Sequence, residues 1–547
     1  MSLKRHGIEE IPETTTIVAH AAFPKGNIYL QMRDELGTMF EDEDFSELYP
    51  QRGQPGLAPW RLALVTVMQF AEDLTDRQAA DAVRGRIDWK YALSLELTDA
   101  GFNYSVLSEF RGRLIEGQAE QVLLDKMLEA YQERGLLKTQ GDQRTDATHV
   151  VAAIHALNQL ELVHETLHHA LNVLATVVPK WLKTLVAPVW FERYGERLTE
   201  WRLPKDKQKQ QALAEVVGVD GLYLLNRIYA DDAPDWLRQV PAVETLRQVW
   251  VQSFYQMEGK VCWREKDNQP SPAQRIASPY DTDARYSTKR DTSWVGYKFH
   301  VTETCDDDAP HLITHVETRP GTEHDINALD DIHQALNDQN RLPKAQLVDA
   351  SYVSADELVR SQMTYGVDLV GPARADLSWQ ARLPGGIDRS QFTIDWEQQQ
   401  ATCPQGANSC GWIPRQRADG YATIMIRFRR TDCAGCLLRP RCTRDQTKGR
   451  TLTVLRQQPF EALQTARQRQ LTQDFKDHYA SRAGVEGTIS HAAFTLGLRR
   501  ARYRGLVKTH LQHLATAAAI NLIRVTDWLA ERPRSQTRQS RFALLAA

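Results

Sequence analysis

The chain is 547 residues long, 42% hydrophobic and 25% charged, with a formal net charge of −3. That length suffices for two to four domains with sizeable cores, and no apolar run approaches the roughly 20 residues of a membrane span. The charge balance excludes a uniformly cationic surface but conceals a local one. In the last stretch Arg499, Arg500, Arg502, Arg504, Lys508, Arg524, Arg532, Arg534, Arg538 and Arg541 are set against only Asp527 and Glu531. Such a stripe fits a polyanion that touches part of the surface. The first ten residues include Lys4 and Arg5 but no apolar signal segment, so the expected location is cytoplasmic.

Residues 24–135 read as a helical N-terminal domain. A dense apolar run from Leu62 to Phe70 follows Pro59, and Thr75 and Gln78 have the spacing of a capping box. Short helices joined by tight turns, with Arg111 and Arg113 available, suggest a helix-turn-helix type of DNA reader. Residues 140–152 read as a strand around Thr145-Asp146-Ala147-Thr148-His149, and 153–275 as a helical insertion. Within it His164-Glu165-Thr166-Leu167-His168 matches the zinc-protease pattern. With no third ligand at a typical spacing, a chance match is the better reading.

From 280 to 375 the pattern is mainly β. Trp294–Thr302 is aromatic and β-branched and is expected to pair antiparallel with His311–Thr318 across the acidic loop Asp306–Pro310. Leu347-Val348-Asp349 ends a short apolar strand, Ser354–Tyr365 reads as a helix, and 367–372 as the next strand. Residues 376–455 form a cysteine-rich insertion, 458–530 are helical, and 531–547 are a basic tail.

Seven cysteines are present, five of them clustered: Cys403, Cys410, Cys433, Cys436 and Cys442. Clustering in a cytosolic chain favours metal thiolates over disulfides. Cys433-x-x-Cys436 is a compact chelating pair, which Cys442 with Cys403 or Cys410 could complete as a tetrahedral structural Zn²⁺ site.

In the octet Tyr479-Ala-Ser-Arg482-Ala-Gly-Val-Glu486 the three named residues fall at i, i+3 and i+7, one face of a helix. A carboxylate in such a stripe is costly to bury without a partner. Asp146 and Asp349, on two strands, could converge with Glu486 on divalent cations, and hard oxygen ligands suit Mg²⁺ or Mn²⁺. Two ions roughly 4 Å apart would activate the attacking oxygen and stabilise the leaving one in phosphoryl transfer. Asp281 and Asp283 are rivals for the first acid, but Asp146 has the more strand-like context.

The strings around Asp146, Asp349 and Tyr479-x-x-Arg482-x-x-x-Glu486 resemble the three acidic motifs of bacterial insertion-sequence DDE transposases. Asp281–Arg285, Lys289 and Trp294-x-Gly296-Tyr297-Lys298-x-His300 resemble the region between the first two acids. Residues 36–115 resemble the helical domain that often precedes the core, and Cys433-x-x-Cys436-x₅-Cys442-Thr443 a cluster found between the second and third acids. The resemblance implies an α/β fold: an RNase H-like catalytic core with a helical N-terminal domain and the helical and cysteine-rich insertions. It implies Asp146, Asp349 and Glu486 as a catalytic triad holding Mg²⁺ (or Mn²⁺). Tyr479 and Arg482 would be helpers near the scissile phosphate or transposon end, and Lys298, Arg499 and Arg500 are further candidates for phosphate contact.

The implied activity is DNA cleavage and strand transfer at the ends of an insertion sequence. The implied partners are double-stranded DNA (transposon ends and target) and a second copy in a homodimeric synaptic complex. No membrane is involved, and the location is the nucleoid-associated cytoplasm. One departure stands out: the family places a lysine seven residues after the glutamate, where this chain has Ala493. That departure keeps a catalytically inactive DNA-binding derivative as the alternative.

Overall fold

The computed structural model describes residues 2–3, 10–50, 52–138, 140–198, 203–418 and 420–533. Most of the basic tail, with Arg534, Arg538 and Arg541, therefore lies outside the described residues. A central sheet is built from β1 (Gln143–Val151), β2 (Arg285–Lys289), β3 (Thr292–Thr304), β4 (Ile313–Pro320), β5 (Ala345–Val348) and β6 (Asp368–Val370). β3 runs antiparallel to β1 on one side. Its other edge is shared between β2, along Thr292–Gly296, and β4, along Tyr297–Glu303. On the far side of β1, β5 and then β6 follow in parallel, so β3 alone opposes the direction of the rest. All four residues of β5 are buried, as an interior parallel strand requires. Gly296 lies where a Cβ would come within 2.1 Å of the Val150 carbonyl oxygen, so β3 passes β1 there only with glycine.

The hairpin expected across the acidic loop is present as β3 and β4, with a register shift at Thr302/Glu303. There the buried Asn521, on the C-terminal helix Leu506–Leu529, stands in for a strand. Its Oδ1 accepts from Ile313 N at 2.7 Å and its Nδ2 donates to Ile313 O at 2.8 Å. This helix is rich in small buried residues (Ala515, Ala517, Ala518, Ala519), which lets it run close between the sheet and the N-terminal helices. One continuous core joins Trp60, Phe70, Trp89 and Tyr131 of those helices to Tyr297, Phe299 and Val301 of β3 and to Leu514 and Leu522.

The capping box forms as predicted: Thr75 Oγ1 accepts from Gln78 N and Gln78 Oε1 accepts from Thr75 N, at 3.3 and 2.9 Å. The reading of Arg111 as available for DNA is corrected. Its buried guanidinium pairs with Asp76 at 2.5 Å and lies over the Tyr503 ring, so it ties the N-terminal helices to the C-terminal segment. Residues 153–275 carry a separate core, in which helices Gln159–Val177, Lys207–Ile228 and Pro241–Ser253 pack Leu167, Val217, Leu224 and Trp250 together. His164 and His168 belong to this packing. Their ring nitrogens meet the Arg193 and Tyr194 carbonyl oxygens at 2.9 and 2.7 Å, and Glu165 accepts from Tyr280 Oη at 2.5 Å. The zinc-protease pattern is accounted for by helix packing.

Three histidines, His300 and His333 buried and His510 largely so, carry a testable consequence. His300 meets Tyr352 Oη and His333 meets Gln346 Oε1, each at 2.6 Å, and His510 meets Thr318 Oγ1 at 3.1 Å. Burial pushes each down to about 4 from an ordinary value near 6.5. A depressed folded pKa means that the unfolded chain binds the proton first. The stabilisation is therefore complete above about pH 6.5 and is lost as pH falls toward 4, by roughly 2 kcal/mol per histidine at pH 5. Thermal midpoints should be level from pH 7 to 8 and drop steeply below 6; a midpoint as high at pH 5 as at pH 7 would contradict this.

Candidate active site

The register of β1 and β5 brings the two predicted aspartates together. Thr145 pairs with Val348 in the parallel ladder, so Asp146, inside β1, and Asp349, just past the carboxyl end of β5, lie side by side, each one residue further on. A neighbouring carboxylate raises the cost of ionising Asp146. Burial first, and the Asp349 charge as a smaller contribution, push the Asp146 carboxyl above the usual range, while Arg482 pulls it back. Asp349 is oriented locally: its Oδ1 accepts from Ser351 N at 2.7 Å and from the Ser351 hydroxyl.

The Tyr479–Glu486 octet is not the single helix that its spacing predicts. Helix Gln473–Ala480 ends, a tight turn follows at Ser481 and Arg482, and a new helix runs from Ala483 to Thr495. The break has a visible cause. Arg144 of β1 donates from Nη1 to Ser481 O at 2.6 Å, taking the carbonyl that Val485 N would use in a continuous helix. The guanidinium sits where a side chain at Gly484 would be, 2.1 Å from the position of an added Cβ. Behind it, the fully buried Glu303 accepts from Arg144 Nε, Arg524 Nη1 and Thr488 Oγ1, each at 2.7 Å. Burial would raise the Glu303 carboxyl, but Arg524 and then Arg144 hold it below its ordinary range. The network locks β1, β3 and both C-terminal helices into one arrangement.

That arrangement puts Arg482 between two of the acids. Its Nη2 donates to Asp146 Oδ2 and its Nη1 to Glu486 Oε1, both at 2.9 Å. The guanidinium is largely buried, whereas the Glu486 side chain is 63% exposed and reaches back from the first helical turn. Tyr479 stacks on Phe475 with ring centroids 5.4 Å apart. It feels the charges of Arg482, Asp349, Asp146 and Glu486, although burial is the main reason its hydroxyl is held above its usual value.

Asp146 and Glu486 open onto a cavity of about 330 Å³ whose wall includes His149, Lys289, Asp325 and Arg499. Arg499 is placed by backbone pairing: Val151 N donates to Arg499 O and Ala501 N to Val151 O, each at 2.8 Å. Its Nε then reaches Thr148 Oγ1 at 3.3 Å. Arg500 is exposed and does not line this cavity. Lys298 lines it but is engaged, donating to Glu323 O at 2.6 Å and pairing with Asp325 at 2.8 Å. Sequence reading missed Asp325, Arg144 and Glu303. None stands in a distinctive string, and only the fold brings them to the acids.

The rival acids have structural duties. Buried Asp281 accepts from Tyr297 Oη at 2.5 Å and Gly505 N at 3.1 Å, and Asp283 accepts from Leu506 N at 3.0 Å. Both hold the start of the C-terminal helix. All seven cysteines are free thiols. Among the described residues no three His, Cys, Asp or Glu side chains are drawn together tightly enough to hold an ion, and no helix is long and apolar enough to cross a membrane.

Two half-buried aspartates on neighbouring strands, beside a cavity walled in part by Lys289, Lys298 and Arg499, are a setting suited to a charged substrate. Two family models match the chain: residues 402–526 match one described as a transposase DDE domain, and residues 18–113 one described as a transposase domain (DUF772). The first match spans the octet and most of the C-terminal helix; the second spans most of the N-terminal helices. Together they support a DDE transposase, a metal-dependent DNA-processing enzyme in general terms. No curated protein and no solved structure matches the chain.

Proposed function

We propose that the chain cleaves DNA at the ends of an insertion sequence and joins those ends to target DNA. In this reading Asp146, Asp349 and Glu486 are the acids that hold Mg²⁺ or Mn²⁺. The observation that carries it is the parallel register that sets Asp146 beside Asp349, with Glu486 turned toward Asp146 across Arg482. The sheet order, with β3 alone antiparallel, supports an RNase H-like core.

By donor chemistry the three acids suit the implied ions, and binding would have to draw Asp146, Asp349 and Glu486 closer than they stand. Carboxylate oxygens are the hard ligands that Mg²⁺ and Mn²⁺ take, and Asp146 and Glu486 already share a cation, the Arg482 guanidinium. When bound, such ions supply a lowered pKa for the attacking oxygen and neutralise charge on the phosphate and leaving group.

The chain's own residues do the rest. Arg482 releases the two carboxylates and is then free to pair with a phosphate. Lys289 and Arg499 offer positive charge from the cavity wall, where they attract and orient the DNA backbone. Ser351 fixes the Asp349 carboxylate. The presence of all three acids in this setting favours an active enzyme over an inactive derivative, Ala493 notwithstanding.

The test is direct. Purified protein, given linear DNA carrying the sequences that flank its reading frame, should nick at the element ends with Mg²⁺ or Mn²⁺ and do nothing in a chelator. Specific end binding without cleavage under any divalent ion would refute the enzyme and leave the DNA-binding alternative.

A further inference from the structure

The cysteine-rich segment contains a cavity of its own. Cys403, Cys433, Cys436 and Cys442 all line one cavity of about 320 Å³, together with Phe392 and Arg450. Cys410 does not; it is exposed on a neighbouring strand approach, its N–H donating to Arg427 O at 2.7 Å. The four cavity cysteines come from three places: a turn after strand Gln400–Thr402, the short helix Arg430–Ala434 with its exit, and the short helix Arg439–Cys442.

Backbone N–H groups point at two of the sulfurs. In the tight turn Cys403–Ala407, Gly406 N donates to Cys403 O at 2.8 Å and Ala407 N donates to Cys403 Sγ at 3.3 Å. Arg450 N donates to Cys433 Sγ at 3.5 Å. N–H groups so placed are the donors that a metal-bound thiolate accepts from. The Arg450 side chain enters the same cavity, and its Nε is buried without a hydrogen-bond partner. A half-buried guanidinium in a thiol-lined cavity favours negative charge beside it. The surrounding core is small, with Ile387, Phe392, Ile426, Phe428, Leu452 and Val454 as its main buried members, and cores of that size commonly rely on a metal or disulfides for stability.

We propose that Cys403, Cys433, Cys436 and Cys442 form a structural Zn²⁺ site, with Cys410 excluded. Binding draws the four sulfurs inward from the cavity wall. Each thiol gives up its proton, so one Zn²⁺ and four S–H groups yield a tetrathiolate of charge −2 and four released protons. That dianion neutralises Arg450 and ties the turn at 403 to the two short helices. All four coordination positions are filled, so the site is closed to substrate.

The full-length chain, purified under reducing conditions from zinc-supplied cells, should contain one zinc per chain by elemental mass spectrometry. Cys410→Ser should retain it fully, while Cys403→Ser with Cys436→Ser should lose it. Should that double variant fail to fold, the wild-type chain still decides. Adding a chelator should raise by four the number of its seven thiols that react with a thiol reagent, the buried Cys305 staying slow throughout, and cobalt substitution should give the intense visible bands of a tetrahedral thiolate site. Absence of bound zinc, a reactive-thiol count unchanged by the chelator, or equal zinc loss in Cys410→Ser would each overturn the assignment. None of these readouts involves DNA, so the result stands apart from the transposase reading.

Discussion

Glu486→Gln is expected to abolish DNA cleavage while leaving binding to the element ends within a few-fold of the parent. The exchange conserves shape and removes one charge. Because the Glu486 side chain is 63% exposed, the cost to folding should be about 0.5 kcal/mol or less. Arg482 keeps its contact with Asp146, so the turn that positions the helix survives. Loss of a carboxylate that supports ion binding removes several kcal/mol of charge stabilisation in the transition state. About 4 kcal/mol corresponds to roughly a thousandfold in rate. Asp349→Asn should behave alike, since its neighbour Ser351 can still hydrogen-bond an amide oxygen. Cleavage and gel-shift assays on the same DNA separate the two effects. Near-parental cleavage by either variant would remove that residue from the triad, and equal loss of binding and cleavage would point to misfolding instead.

The second large effect should appear in stability. Glu303 is fully buried and is the shared acceptor for Arg144, Arg524 and Thr488. Glu303→Gln keeps the volume but leaves two guanidinium groups without their counter-charge. Breaking one side of a buried ion pair costs about 3–5 kcal/mol, so the urea midpoint and thermal midpoint should both fall markedly. Because Arg144 also captures the Ser481 carbonyl and fills the space above Gly484, the variant should lose activity beyond what its folded fraction explains. A midpoint shift equivalent to less than about 1 kcal/mol would show that the network is replaceable by neutral hydrogen bonds.

Much of the local structure was legible in the sequence, because it follows from neighbouring residues. The Thr75–Gln78 capping box, the β3–β4 hairpin across the acidic loop, and the strand ending at Asp349 depend on short-range spacing. The break inside the octet was not legible. Its i, i+3, i+7 spacing is perfectly helical, and the interruption comes from Arg144, more than 300 residues earlier in the chain. Arg111 was misread for the same reason. A helical arginine looks available until Asp76 and Tyr503 are seen around it.

For the candidate site, residue types and the strings they stand in are readable along the chain: the three acids, the tyrosine and arginine of the octet, and the clustered cysteines. How they are used depends on the folded arrangement. The parallel register sets Asp146 beside Asp349, the buried Glu303 pins the turn that carries Arg482, and folding gathers four cysteines while leaving Cys410 outside. The physical reason is common to all three. Strand register, burial of charge and cavity lining arise between segments far apart in the chain, and local propensity carries no information about them.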